Sequence, residues 1–384
     1  MAVLNDEQIM LKDMVTGWAR ERMPVTQIRS LYDHGGGGKQ GEGPGFDRAA
    51  YGEIAQMGWT GICVPEAYGG SDFGSFSLGF VLEELARTLA PLPLLSSGMI
   101  AASALVLGGT EAQKVLWLPA LADGSAVGTL ALEEGAHHAP DTIAMTATQT
   151  AEGWRLDGLK RFVADGMGAD LFIVAARSAP ASDTADGITL FLVPAETAGL
   201  TREALDQIDA RRPADLRFDG MVLDARAVLG EVHQGGRLLT ALLDRAYAGQ
   251  AAELLGLAEQ ALETTLEYLK TRVQFGQLIG SFQALQHRAA EMFGEVQLTR
   301  SAVEAALTAI DTGDAETSSL ASLAKAMANE TAHRISCEMV QLHGGIGMTH
   351  EHDAGLYLKR ARVAEQSYGN LSFHQERWAR LNGY

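Results

Sequence analysis

The spacing of apolar residues divides the chain into three textures. Up to about residue 122, apolar positions recur every three or four residues and stop at breakers, as in SFSLGFVLEELARTLAPLP and EAQKVLWLPALADG, which predicts helices. The opening segment has the same period, with Leu4, Ile9, Leu11, Met14, Val15 and Trp18 expected along one side of an amphipathic helix. From about 123 to 233 the runs shorten and alternate. VGTLAL, IAMTATQT, GWRLDGLKRFV, DLFIVAARS, GITLFLVPA and LRFDGMVL read as strands, with tight turns at Glu152-Gly153 and Asp157-Gly158. From about 234 the helical period returns, first in one very long segment and then in two more helices, the last of them stopping at Gly344-Gly345. A fourth helix is expected through the final stretch around Arg360 to Leu381, past a Tyr-Gly-Asn turn at Tyr368 to Asn370. The expected fold is mainly α with a β-domain: an N-terminal helical domain (1–122), a middle β-barrel or sandwich (123–233) and a C-terminal four-helix bundle (234–384).

Charge narrows the partners. A net charge of −18 repels a phosphate backbone or an anionic membrane surface, so neither is expected as a partner. It leaves room for an anionic small molecule in a local basic pocket. Two cysteines, Cys63 and Cys337, cannot build a disulfide framework, and the absence of a long apolar run or a signal-like start points to a cytoplasmic protein. The glycine-rich HGGGGKQGEGPG (His34 to Gly45) lacks the preceding strand and the Lys-Ser/Thr of a phosphate loop, and reads as a connector. His350 and His352, two residues apart, would diverge on a helix, so no metal is expected.

Two segments carry chemistry. In TRVQFGQLIGSFQALQHRAAEM (Thr271 to Met292), Arg272 and Phe275 offer a guanidinium and an aromatic face just before a break at Gly276, suited to a pyrophosphate and a flat ring. In QLHGGIGMTHEHDAGLYLKRAR (Gln341 to Arg362), Gly344 and Gly345 would let the backbone approach a ligand closely. Together with MGWTGICVPEAYGGSDFG and LDGLKRFVADGMGADLFIVAARS, these segments resemble the acyl-CoA dehydrogenase family over nearly the whole chain. The resemblance implies FAD as cofactor, and implies that Arg272, Phe275, Gln283, Gln341, Gly344 and Gly345 contact an FAD held mainly by a neighbouring subunit. It also implies an acyl-CoA substrate, Arg245 as a contact for the CoA phosphates, and an electron-transfer flavoprotein as electron acceptor.

The chain departs from the family pattern on the other half of the site. Where the family has hydroxyl side chains on the flavin, this sequence has Leu132, His138 and, after Phe162, Ala164. Each lost hydrogen bond costs on the order of 0.5–1.5 kcal/mol. The resemblance also provides two seats for the catalytic glutamate, and they are taken by Tyr368 and Ala246. A phenol with a reference pKa near ~10 is a poor base for a carbon-bound proton at neutral pH. Asp244 and Glu365 are the nearest substitutes, but a two-residue offset on a helix turns Asp244 by about 200° from position 246. The expectation is therefore one subunit of a hetero-oligomeric acyl-CoA dehydrogenase, with a homologous partner supplying the base. A self-sufficient homo-oligomer with an unusual base, or a relative with another flavin reaction or a non-catalytic binding role, remains as the alternative.

Overall fold

The computed structural model describes residues 4–33, 43–180 and 187–384. The glycine-rich connector lies outside the described residues except for Gly43 to Gly45. Helices follow in the order α1 (Asp6–Arg22), α2 (Val25–Asp33), α3 (Arg48–Gln56), α4 (Gly74–Arg87), α5 (Ala102–Gly108), α6 (Glu111–Ala122), α7 (Gly235–Thr271), α8 (Gln283–Thr312), α9 (Thr317–His343), α10 (Ala354–Gln366) and α11 (Leu371–Leu381). The chain forms two compact units, one of Met1–Arg29, Gly79–Ala90 and Tyr247–Tyr384, the other of Ser30–Leu78 and Pro91–Ala246.

In the first unit the helices pack through small residues. Ala251, Ala258, Ala321, Ala324, Ala328 and Ala332 are completely buried, so neighbouring helix axes come close. A Cβ added at Gly256 of α7 would overlap the backbone carbonyl of Glu83 on α4, so only glycine permits that approach. Charges lace the same helices together. Glu83 accepts from Lys12 of α1 at 3.1 Å, and Arg300 of α8 pairs with both Glu83 and Glu259 of α7. Burial pushes the Glu83 carboxyl up, but the cations of Arg300 and Lys12 outweigh it and hold it below the usual range.

The second unit is built on a single sheet. Its strands are β1 (Gly128–Ala131), β2 (Thr146–Thr150), β3 (Gly153–Val163), β4 (Leu171–Arg177), β5 (Ile188–Pro194), β6 (Leu200–Ala204), β7 (Ala214–Leu223) and β8 (Val228–Leu229). The bonded order is β6-β7-β3-β2-β4-β5-β8, with β1 beside β4. β4 and β5 are nearly continuous apolar runs and are buried on both faces, whereas β7 alternates, as one covered face requires. Before the sheet, Leu94–Ala101 forms a π-helical stretch whose residues are all buried.

Three expectations change. Asp157-Gly158 is no turn: it lies inside β3, where the pairing with β7 shifts register between Leu156 and Gly158. On α1, Val15 and Ala19 are buried but Ile9 and Met14 are exposed, so the buried stripe is narrower than the hydropathy pattern suggests. The fourth bundle helix is two helices, α10 and α11, divided where Tyr368 takes a φ of 56° and Gly369 a φ of 100°. A left-handed pair cannot continue a right-handed helix.

Candidate functional site

Two sets of residues singled out from the sequence fall in different units and are described in turn. In the helical unit, α7 ends at Thr271 and the chain turns through a short hairpin of β9 (Val273–Gln274) and β10 (Gln277–Leu278). Its two central residues, Phe275 and Gly276, both have positive φ, at 53° and 78°. Such a pair makes a tight hairpin turn that suits the twist of the strands, normally with Asn or Gly at the first position. Phenylalanine there is strained and 90% exposed, its ring edge-on to Phe282 at 6.1 Å. The hairpin thus holds an aromatic side chain out to solvent at a conformational cost.

Arg272, at the base of this hairpin, is exposed, and among the described residues its guanidinium has no partner. Gln283 opens α8 and Gln341 lies near the end of α9, both exposed. Gly344 has φ 62° and ψ −140°, a conformation open only to glycine, and a Cβ at Gly344 or Gly345 would meet nothing within 4 Å. The two segments are brought to one end of the unit by ring contacts. Tyr268 of α7 lies 4.3 Å from His343 of α9, and His343 lies 4.2 Å from His352. His352 sits in the turn before α10, where its Nδ1 accepts from the Ala354 N–H at 3.1 Å, so it is not on a helix with His350. Burial pushes the His343 and His352 imidazoles below their usual range.

In the sheet unit, the second register shift of β3 against β7, between Lys160 and Val163, bulges the strand at Phe162. Phe162 has φ 51°, and its N–H donates to Asp215 at 3.1 Å. The Arg161 guanidinium lies 4.8 Å from its ring. The Ala164 carbonyl accepts from the Thr129 hydroxyl at 2.8 Å, so this buried hydroxyl is already engaged by backbone. His138 turns its Nδ1 to the Glu133 carboxylate. Leu132 is buried, and its carbonyl accepts from Lys160 at 3.0 Å.

Lys160 is not legible as a site residue from the sequence. It is completely buried, donates also to Glu134 at 2.6 Å, and Glu134 in turn accepts the Ala144 and Met145 N–H groups. Burial, only partly offset by Glu134, lowers the Lys160 pKa. This pair fastens the segment from Leu132 to Met145. A lysine on the alternating β3 reads as solvent-facing unless its distant acid is known.

The two positions expected to seat the base, Tyr368 and Ala246, carry a phenol and a methyl group. Ala246 is completely buried on α7. Asp244 is buried as well, and Arg245 donates to the Ala241 carbonyl of its own helix at 2.9 Å. Tyr368 is half-buried between α10 and α11, and its carbonyl accepts from His374 at 2.9 Å. Glu365 is buried and engaged by Arg362 at 2.6 Å and by His333 at 3.1 Å. A cavity of about 450 Å³ opens beside it, lined by Asn329, His333, Arg334, Arg362 and Asn370 among others. Among the described residues no cluster of three His, Cys, Asp or Glu side chains could hold a metal ion, and no helix is long and apolar enough to cross a membrane.

Residues 5–125, 129–221 and 233–380 match the acyl-CoA dehydrogenase N-terminal, middle and C-terminal domains in turn. The chain belongs to the acyl-CoA dehydrogenase family. It is 32% identical over 330 residues to the short-chain specific acyl-CoA dehydrogenase of Megasphaera elsdenii, covering 83% of this chain and 86% of that one. The butyryl-CoA dehydrogenase structure from the same organism superimposes with a TM-score of 0.92 at 27% identity, covering 100% of this chain and 99% of the other. A variant of the Tcur3481-Tcur3483 steroid ACAD gives 0.87 at 30% identity, covering 98% of each. As an acyl-CoA dehydrogenase-type oxidoreductase, the chain has the family's helical, β-sheet and helical domains in order.

Proposed function

We propose that this chain is one subunit of a hetero-oligomeric acyl-CoA dehydrogenase, desaturating an acyl-CoA thioester between its α and β carbons. The observation that carries the proposal is an asymmetry. Arg272, Phe275, Gln283, Gln341, Gly344 and Gly345 are exposed. The seats at Tyr368 and Ala246 hold a phenol and a methyl group.

The exposed set fits FAD belonging to a neighbour. An unpaired guanidinium suits a pyrophosphate, a projecting phenyl ring suits a flat heterocycle, and bare glycine backbone leaves room for close approach. On this chain's own sheet unit, Leu132, His138, Phe162 and Ala164 would form the wall, in which Phe162 gives apolar surface while the Thr129 hydroxyl and the His138 ring are already engaged. FAD, when bound, supplies the hydride acceptor for the β-carbon. The α-proton goes to a carboxylate of the homologous subunit, because a phenol, as at position 368, is a poor base for a carbon-bound proton. Arg245 is assigned to the CoA phosphates, an electron-transfer flavoprotein to reoxidation and the cytoplasm to location.

The similarity to a steroid ACAD whose name joins two products supports a mixed assembly. Co-expression with a homologous subunit tests the reading. A mixed oligomer should turn over an acyl-CoA, and replacing the partner's basic carboxylate by its amide should abolish turnover. Failure of the two chains to associate, or turnover untouched by that replacement, would overturn it.

A further inference from the structure

The turn that carries Tyr368 is held from beneath by a buried cation. Lys325 of α9 has no exposed surface, and its Nζ lies within hydrogen-bonding distance of three oxygens. They are Asn329 Oδ1 at 2.6 Å, the Ala364 carbonyl at 3.2 Å and the Gly369 carbonyl at 3.3 Å. Asn329 adds a second donor to the Gly369 carbonyl at 3.3 Å, and His374, completely buried on α11, meets the Tyr368 carbonyl through Nε2 at 2.9 Å. An ammonium group has three N–H bonds and no acceptor, so three oxygens match it one for one.

We propose that Lys325 is a positioning residue: its ammonium, with Asn329 and His374, fixes the carbonyls of the α10–α11 turn and so sets where the side chain at position 368 points. The turn needs such a clamp. A left-handed φ of 56° at a tyrosine persists only where the surroundings impose it. His374 is itself fixed edge-on to Tyr247, ring centres 4.6 Å apart, and the Arg377 guanidinium lies 5.1 Å from the same Tyr247 ring. The inference rests on the proposed function only in what position 368 is for. The clamp itself stands on distances and burial.

The clamp is sensitive to protonation. Burial lowers the Lys325 pKa to about 7, against the weaker opposing pull of Glu365 on α10 and Glu253 on α7. Glu365 is shared with His333 of α9 and Arg362 of α10, Glu253 accepts from Gln250, and from α11 the charged group is Arg377, bonded to Ser322. Burial disfavours the ammonium form, so protonation adds a cost to the clamp that its three oxygens offset.

Amide hydrogen exchange on the full chain, without flavin or acyl-CoA, tests this. At a pH of about 6, peptides spanning Ser367 to His374 should lose protection at least tenfold in Lys325→Met, while the middle of α9 should not. Lys325→Arg should restore the protection. Unchanged protection of the turn in Lys325→Met overturns the proposal, and, should that variant not fold, unchanged protection in Asn329→Ala overturns it. Because no cofactor enters the measurement, it can fail while the dehydrogenase reading stands, and the reverse.

Discussion

Glu83 and Arg300 face each other across the helical unit with both terminal guanidinium nitrogens on the carboxylate, at 3.1 and 2.9 Å. The pair is buried, and removing one partner leaves a charge without compensation. Glu83→Gln should therefore cost about 3–5 kcal/mol, read as a lower denaturant midpoint at unchanged slope. A loss under about 1 kcal/mol would mean that Lys12 and Glu259 already neutralise Glu83 and Arg300 without one another.

Close helix approach makes a sharper pair of substitutions. Gly256→Ala sets a methyl group against the Glu83 carbonyl, and backbone on both sides cannot yield. Overpacking of this kind costs about 1–3 kcal/mol or more. Gly17→Ala, in α1 with nothing near its missing Cβ, should stabilise by about 0.4–1 kcal/mol. Thermal unfolding of the two variants should move in opposite directions.

Phe275 separates stability from function. Phe275→Asn turns the hairpin into an Asn-Gly turn, the favoured chemistry for two positive φ values, and should stabilise the chain by about 0.5–1 kcal/mol. The same change removes the exposed ring proposed to contact the neighbour's nucleotide. Flavin retained by the mixed oligomer through gel filtration should fall; full retention would remove Phe275 from the grip.

Lys325 also gives a pH signature in stability. Its folded pKa of about 7 lies below the value for an unfolded lysine, so the unfolded chain binds more protons between the two. Its contribution to stability thus rises with pH from about 7 to about 10.5, and the burial cost is largest below that window. Lys160, lowered in the same direction, adds to the slope. The stability advantage of Lys325→Met over the native chain, measured by denaturant titration, should be greatest near pH 6 and shrink as pH rises. A difference that grows with pH would have the wrong sign.

The seat at 368 can be tested by refilling it. Tyr368→Glu in the mixed oligomer should raise the loss of α-deuterium from a labelled acyl-CoA at least tenfold at this chain's own site. No change would mean that position 368 does not face the thioester.

Periodicity carries the helices and most strands because each is a local pattern that one face or two faces of an element impose. The features that escape it depend on partners far along the chain. Asp157-Gly158 has the composition of a turn, yet pairing with β7 holds it inside β3 as a bulge. β6 escapes because Leu200–Ala204 is short and at the edge of the sheet, with little buried surface to leave an apolar signature. Lys160 and Lys325 look like solvent-facing cations, and their burial rests on Glu134 and the Leu132 carbonyl for the first and on Asn329 and the Ala364 and Gly369 carbonyls for the second. Phe275 stands out for the opposite reason. An aromatic with a positive φ in a tight turn is locally unfavourable, and unfavourable local choices mark places where something else is gained.

The most direct test is the flavin content of the chain purified alone and after co-expression with a homologous acyl-CoA dehydrogenase subunit. The account predicts an essentially colourless protein in the first case and a yellow mixed oligomer, bleached by acyl-CoA, in the second. A chain that alone retains one FAD per polypeptide and is bleached by an acyl-CoA would contradict it.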